Sequence, residues 1–215
     1  MDQSLAVSFI SYDQTRTSAG RFLDSYHPSR SLPIPIEHII DNKLAIDIVP
    51  IPGLLNLLKQ VSSLAGFISG DLKTIYVDEY IYQSVPTMYR FTLAHEIGHA
   101  ILHRNVFKGR QIEGADDWVE FMMSLQEDDY SYKWYEMQAN NFAGLVLVPE
   151  NRLEESIKKT IKSLHHKIEQ AKKGLQNGEM IWEYLGEATA DEFGVSAAVI
   201  DMRIKFDKLK EKIEL

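Results

Sequence analysis

His95, Glu96 and His99 stand in the middle of FTLAHEIGHAILH, residues 91–103, a run made otherwise mostly of apolar residues. Burying a polar group without a partner costs about 1–3 kcal/mol by mutational measures, so three together need a reason. The spacing supplies one. Residues four apart on an α-helix differ by about 40° of rotation and about 6 Å of rise, so both imidazoles leave the same face. One metal ion can accept a nitrogen from each. Glu96 cannot join them head-on, but it can reach a water on the same ion and act as a general base. The ion then satisfies the histidines and the water satisfies the carboxylate. The bland alternative is two separate core histidines, each bonded to a carbonyl. The strongly apolar helix and its proline-marked start favour the metal site.

Zinc needs a third protein ligand and keeps its fourth position for water. The sequence has no cysteine, so thiolate ligands, disulfides and a cysteine nucleophile are all excluded. The downstream candidates are His103, the acidic group at 113–129, and Glu136. Glu136 is preferred because it heads an otherwise apolar helix, with Asn140, Ala143 and Leu147 along one stripe. Asn140 can support a ligand from behind. The competing reading makes Glu136 a first-turn residue favoured by the helix dipole. His103 lies about 80° around the helix from His95, which suits a surface group or a support better than a ligand. His165 and His166 lie in a charged stretch and read as solvated.

Several elements must position these groups. A first helix is expected over 13–27, with Asp13 as cap and Phe22 and Leu23 on one face. Prolines fix an extended entry at SLPIPIEHIIDN, after which IEHII can start a short helix. Strands are expected at LAIDIV (44–49), AGFIS (65–69) and TIYVD (74–78), the last two joined by a hairpin at Gly70-Asp71. Ser84 reads as the cap of the long helix and Pro86 as its first-turn residue. Residues 104–134 read as an acidic loop with some helix. YEMQANNFAGLVLV (135–148) is the next strong helix, stopped by Pro149. Residues 150–178 read as exposed helix with a break at Asn177-Gly178, and 179–209 as helix, GVS turn and helix.

RFTLAHEIGHAILH (90–103) followed by YEMQANNFAGLVLVP (135–149) resembles the ImmA/IrrE family of zinc-dependent peptidases. The resemblance extends through LPIPIEHII, GFISGDLKTIYVDE and the closing FGVSAAVIDMRI. Residues 104–134 are longer than the family's usual linker, and 150–178 match nothing specific. The resemblance implies that His95, His99 and Glu136 are zinc ligands and that Glu96 is the catalytic base. It implies an α+β, zincin-like fold: a small antiparallel sheet on the HExxH helix, with further helices and a C-terminal helical hairpin. A metallopeptidase core at 1–150 and a C-terminal helical region at 151–215 packed on it are expected. The implied activity is cleavage of a protein, a repressor of the helix-turn-helix type, releasing genes of a mobile element or a stress response in bacteria or phage.

Composition bounds the rival functions. The chain has 215 residues, 45% hydrophobic and 25% charged, which suits an ordinary globular protein. Its net charge of −8 argues against nucleic-acid binding, which needs a basic footprint. ATADEFGVSAAVIDMRI has helix-turn-helix spacing, but Arg203, Lys205 and Lys208 beside two aspartates make a weak phosphate grip. A helical hairpin on the peptidase core is the better reading. A repressor-binding module that does not hydrolyse is the other alternative, and Glu96 argues against it. No apolar run reaches transmembrane length, and MDQSLAVSFISYDQ lacks the basic start of a signal peptide. A cytoplasmic protein is expected. Tyr130, Tyr132, Tyr135 and His103 are open candidates for oxyanion donor.

Overall fold

Three short strands form one sheet in the computed structural model, which describes residues 7–59, 61, 65–166, 168 and 178–214. β1 (Asp47–Ile51) and β2 (Gly66–Ile68) flank β3 (Thr74–Asp78). TIYVD is β-branched and aromatic, which suits a pleated, half-buried surface, and Ile75 and Val77 are buried in the core. β2 and β3 are antiparallel and joined by the expected hairpin. Ser69 N–H donates to Thr74 O at 2.8 Å, and Lys73 N–H donates to Asp71 Oδ1 at 3.0 Å.

The sheet is mixed rather than wholly antiparallel. β1 runs parallel to β3, with Asp47 opposite Thr74 and Ile51 opposite Asp78. The connection is the cause. The chain leaves β1 through Gly53, whose φ is 72°, forms α3 (Leu54–Leu58) and returns along β2. β1 and β3 therefore point the same way, as a crossover connection requires. Pro50 is tolerated because β1 is an edge strand. The strand also begins later than the alternation suggests. Residues Ile40–Leu44 form a π-helical turn continuing α2 (Ile36–Ile39), and it ends at Ala45 with φ 52°.

α1 (Tyr12–Tyr26) is capped by Ser11, not Asp13. Ser11 N–H donates to Gln14 Oε1 at 2.8 Å, and Gln14 N–H donates to Ser11 Oγ at 3.3 Å, a reciprocal capping box. Phe22 and Leu23 are buried as expected. α4 (Glu79–Ser84) uses up Ser84, so Val85 takes the cap position of α5 (Pro86–Leu102), with Pro86 in its first turn. The acidic stretch is largely helical: α6 (Ala115–Gln126) and then α7 (Asp129–Leu147). Asp128 starts α7 early, its Oδ1 accepting from Tyr130 N–H at 3.2 Å. α7 lies along α5 on one side and α1 on the other, and α5 packs on β2 and β3.

α8 (Glu150–Ser163) buries Leu153 and Ile157 and exposes its charges. His165 and His166 are exposed. Of the expected break at Asn177-Gly178, Asn177 lies outside the described residues and Gly178 begins α9 (Gly178–Phe193). A turn at Gly194 leads to α10 (Ala197–Phe206) and α11 (Leu209–Lys212).

Arg203 on α10 is fully buried. Its Nη1 donates to Gly144 O at 2.7 Å and also to Val148 O, two carbonyls at the end of α7. Its Nε donates to Asp207 Oδ2 at 3.1 Å. Asp207 Oδ1 accepts from Tyr12 Oη at 2.8 Å and Arg16 Nη2 at 3.0 Å. A guanidinium thus caps α7 and ties it to α1 and α10. Breaking a buried ion pair from one side costs about 3–5 kcal/mol. Arg203→Met should therefore lower the melting temperature by about 6–20 °C, at about 2–4 °C per kcal/mol for a chain of this size. A melt within 2 °C or so of wild type would show that the cap is dispensable.

Candidate metal centre

α5 brings His95, Glu96 and His99 into the core at 1%, 1% and 0% exposure. α7 crosses close to it because of Gly98, whose missing Cβ would sit 3.2 Å from both Cα and O of Ala139. That close approach places Glu136, one turn before Asn140, opposite the two imidazoles. His95 Nε2 is 3.6 Å from Glu136 Oε2, His99 Nε2 is 3.7 Å from Glu136 Oε1, and the two Nε2 atoms are 2.8 Å apart. A tetrahedral ion holding N and O donors at about 2.0–2.2 Å sets them about 3.3–3.6 Å apart, near the two His–Glu136 distances and wider than the gap between the histidines, which must open to admit it. The three side chains form a group whose possible ligand atoms all lie within 4.8 Å of one another. Gly98→Ala forces the two helices apart by a few tenths of an ångström. It should cost about 1–3 kcal/mol, as overpacking does, and loosen metal retention, measured by melting and metal analysis. Unchanged values for both would remove Gly98 from the account.

The hydrogen bonds behind the histidines decide what faces the centre. His95 Nδ1 lies 3.0 Å from Asn140 Oδ1, an acceptor, so Nδ1 carries the proton and Nε2 a lone pair. His99 Nδ1 lies 3.0 Å from His103 Nδ1, and His103 Nε2 lies 2.8 Å from Gln138 Oε1. Burial drives the His95 imidazole down to about 3 and the His99 imidazole well below its usual value, so both are neutral. Burial also pushes Glu136 up to about 7, and it raises Glu96 well above the usual carboxylate range, with the Glu136 charge adding to the effect. Lone pairs and a carboxylate that converge in a dry place repel one another. A divalent cation removes that conflict, and the donor set of two imidazoles and a carboxylate suits zinc. Glu96 points to the same conclusion: its Oε2 is buried without a hydrogen-bond partner, as expected of a base whose partner is a water on the ion.

Glu136 lies well inside α7, which begins at Asp129, so the first-turn helix-dipole reading does not apply. Two of the acidic residues upstream cap backbone instead. Asp117 Oδ2 accepts from Glu113 N–H at 2.9 Å and Gly114 N–H at 3.1 Å, and Asp128 caps α7. Glu136→Gln should weaken metal retention, while Asp116→Asn and Asp128→Asn should leave it unchanged. The reverse order in metal analysis would move the third ligand to the acidic stretch.

His103 lies outside the group of possible ligands and touches His99 and Gln138 instead, and at 3% exposure it is not a surface group. Sequence reasoning missed Gln138 and Trp118, and it weighed Tyr135 only as an oxyanion donor. Tyr135 stacks on His99 with centroids 3.8 Å apart, and Trp118 lies edge-on to His99 and stacks on Phe67 of β2. The hydroxyl of Tyr135 is buried without a partner. Tyr132 donates to Val61 O at 2.9 Å, and Tyr130 is 70% exposed. Only the apolar neighbourhood of Tyr135 in the sequence hinted at its burial.

A family model described as the IrrE N-terminal-like domain, Peptidase M78, matches residues 58–205, more than half of the chain and all four residues of the centre. No curated protein matches the chain.

Proposed function

The chain belongs to the Peptidase M78 family, the IrrE N-terminal-like domain, and on that premise we propose that it hydrolyses a protein substrate with zinc held by His95, His99 and Glu136. The observation that carries the reading is the convergence of two lone-pair nitrogens and a carboxylate beside the buried, unpartnered Oε2 of Glu96. Zinc there supplies a Lewis acid for the scissile carbonyl and makes the attacking water more acidic. Glu96 takes the proton of that water and delivers it to the leaving nitrogen. Burial raises its pKa above the usual carboxylate range, which favours a group that must hold a proton as well as take one. Asn140 keeps His95 in the tautomer that serves the ion.

The substrate we propose is a repressor of the helix-turn-helix type in the cytoplasm, as the sequence resemblance implies. None of the helices is long and apolar enough to cross a membrane among the described residues. The DNA-binding alternative loses a residue it needs, because Arg203 is enclosed and bonded to α7 and Asp207. The test is co-expression with a repressor encoded beside this chain's gene. Two repressor fragments, absent when a chelator is added to the purified pair, are expected. An intact repressor that stays tightly bound would favour the non-hydrolytic module.

A further inference from the structure

We propose that His103 and Gln138 are positioning residues that hold the His99 imidazole in the tautomer whose Nε2 lone pair faces the metal, with the Ser8 carbonyl setting the direction of the whole hydrogen-bond chain. The proposal rests on the zinc reading above.

His95 needs no such chain, because an amide oxygen can only accept. His99 faces another histidine, and one neutral imidazole cannot orient a second: either Nδ1 of the pair can hold the proton. The ambiguity ends one residue further on. Gln138 Nε2 lies 3.2 Å from Ser8 O. A carbonyl only accepts, so the NH2 group faces Ser8 and Oε1 faces His103. His103 Nε2, 2.8 Å away, must then donate. A neutral His103 has its lone pair at Nδ1, so His99 Nδ1, 3.0 Å away, must donate in turn. That leaves His99 Nε2 free of a proton and facing the His95 Nε2 lone pair 2.8 Å away, a repulsion that an ion between them relieves. The reversed chain would put a proton on His99 Nε2 and close the site to metal.

The chain is dry from His99 to Gln138, with His99 and Gln138 0% exposed and His103 3%, and it meets solvent only at Ser8. Between His99 and Gln138 no bulk water can supply the missing direction. It also ties the metal ligand to the segment before α1, where Val7 N–H donates to Ser131 Oγ at 3.2 Å.

The test compares Gln138→Leu, Gln138→Glu and His103→Leu with wild type. Zinc affinity is measured by competition with a chromophoric chelator, and the His99 tautomer of the zinc-free protein by imidazole ¹⁵N shifts. Wild type should carry the His99 proton on Nδ1. Gln138→Leu and His103→Leu should bind zinc about 10–100-fold more weakly, the usual cost of losing a support behind a ligand, with His99 in mixed tautomers. Gln138→Glu keeps an acceptor for His103 and should recover most of the affinity. A proton on His99 Nε2 in wild type would overturn the proposal. So would unchanged affinity in Gln138→Leu, or equal losses for the leucine and glutamate variants at position 138. Should His103→Leu fail to fold, the wild-type tautomer and the Gln138 pair decide. Wild type that binds no zinc in the same titration would sink the zinc reading itself.

Discussion

Glu96→Gln is expected to keep its metal and its fold and to lose about 10²–10⁴ in cleavage rate, the usual range for a general base. The substitution is close to isosteric, so the packing of a 1% exposed side chain survives. Glu96 is outside the candidate ligand group of His95, His99 and Glu136, so the charge that would hold the ion is untouched. What disappears is a site that can take a proton from water and give it to the leaving nitrogen. The loss can exceed that range, because one group serves both transfers. Single-turnover cleavage of the proposed repressor partner, run beside metal analysis of both proteins, gives the answer. Wild type should yield two fragments while Glu96→Gln leaves the partner intact and co-purifying. Equal cleavage would remove Glu96 from the mechanism.

The double replacement of His95 and His99 by Ala should abolish zinc binding and, with it, zinc-dependent stability. Two of the three donors go, and a single carboxylate in a dry site does not hold a divalent ion. Ligand binding to the folded state alone stabilises it by mass action, about 4 kcal/mol at a thousand times Kd. For a chain of this size that corresponds to a rise of about 8–16 °C in melting temperature. Wild type freed of metal should regain that rise when zinc is added, and the double variant should not respond. An equal response in both would place the ion elsewhere.

The site was more legible than its surroundings because its signal is local. HEIGH carries its geometry in a four-residue spacing, and the helix around it is apolar enough to be recognised. Glu136 was harder, since nothing near it in sequence says which face of α7 meets α5. Gly98 does part of that work, and its role becomes visible only when Ala139 lies against it. The stretch EDDYSYKWY read as loop because it is acidic and aromatic. Asp128 nevertheless caps a helix there, and Tyr135 is buried against His99. Periodicity found the strands, whereas the parallel direction of β1 depends on where α3 sends the chain. Arg203 looked like a residue for phosphate in a helix-turn-helix reading. Its contacts with Gly144 and Val148 come from α7, far back in the chain, and only the fold joins them. The same holds for the chain from Ser8 through Gln138 to His103.

The most direct test of the zinc centre is diffraction from crystals of the zinc-loaded protein, with anomalous data on both sides of the zinc absorption edge. The account predicts one strong zinc peak per chain, about 2.0–2.2 Å from His95 Nε2, His99 Nε2 and a Glu136 carboxylate oxygen. His103 should remain outside the first ring of ligands, bonded to Gln138. A zinc peak away from these three side chains, or a zinc that replaces Glu136 with His103 or an acidic residue of 113–129, would contradict it.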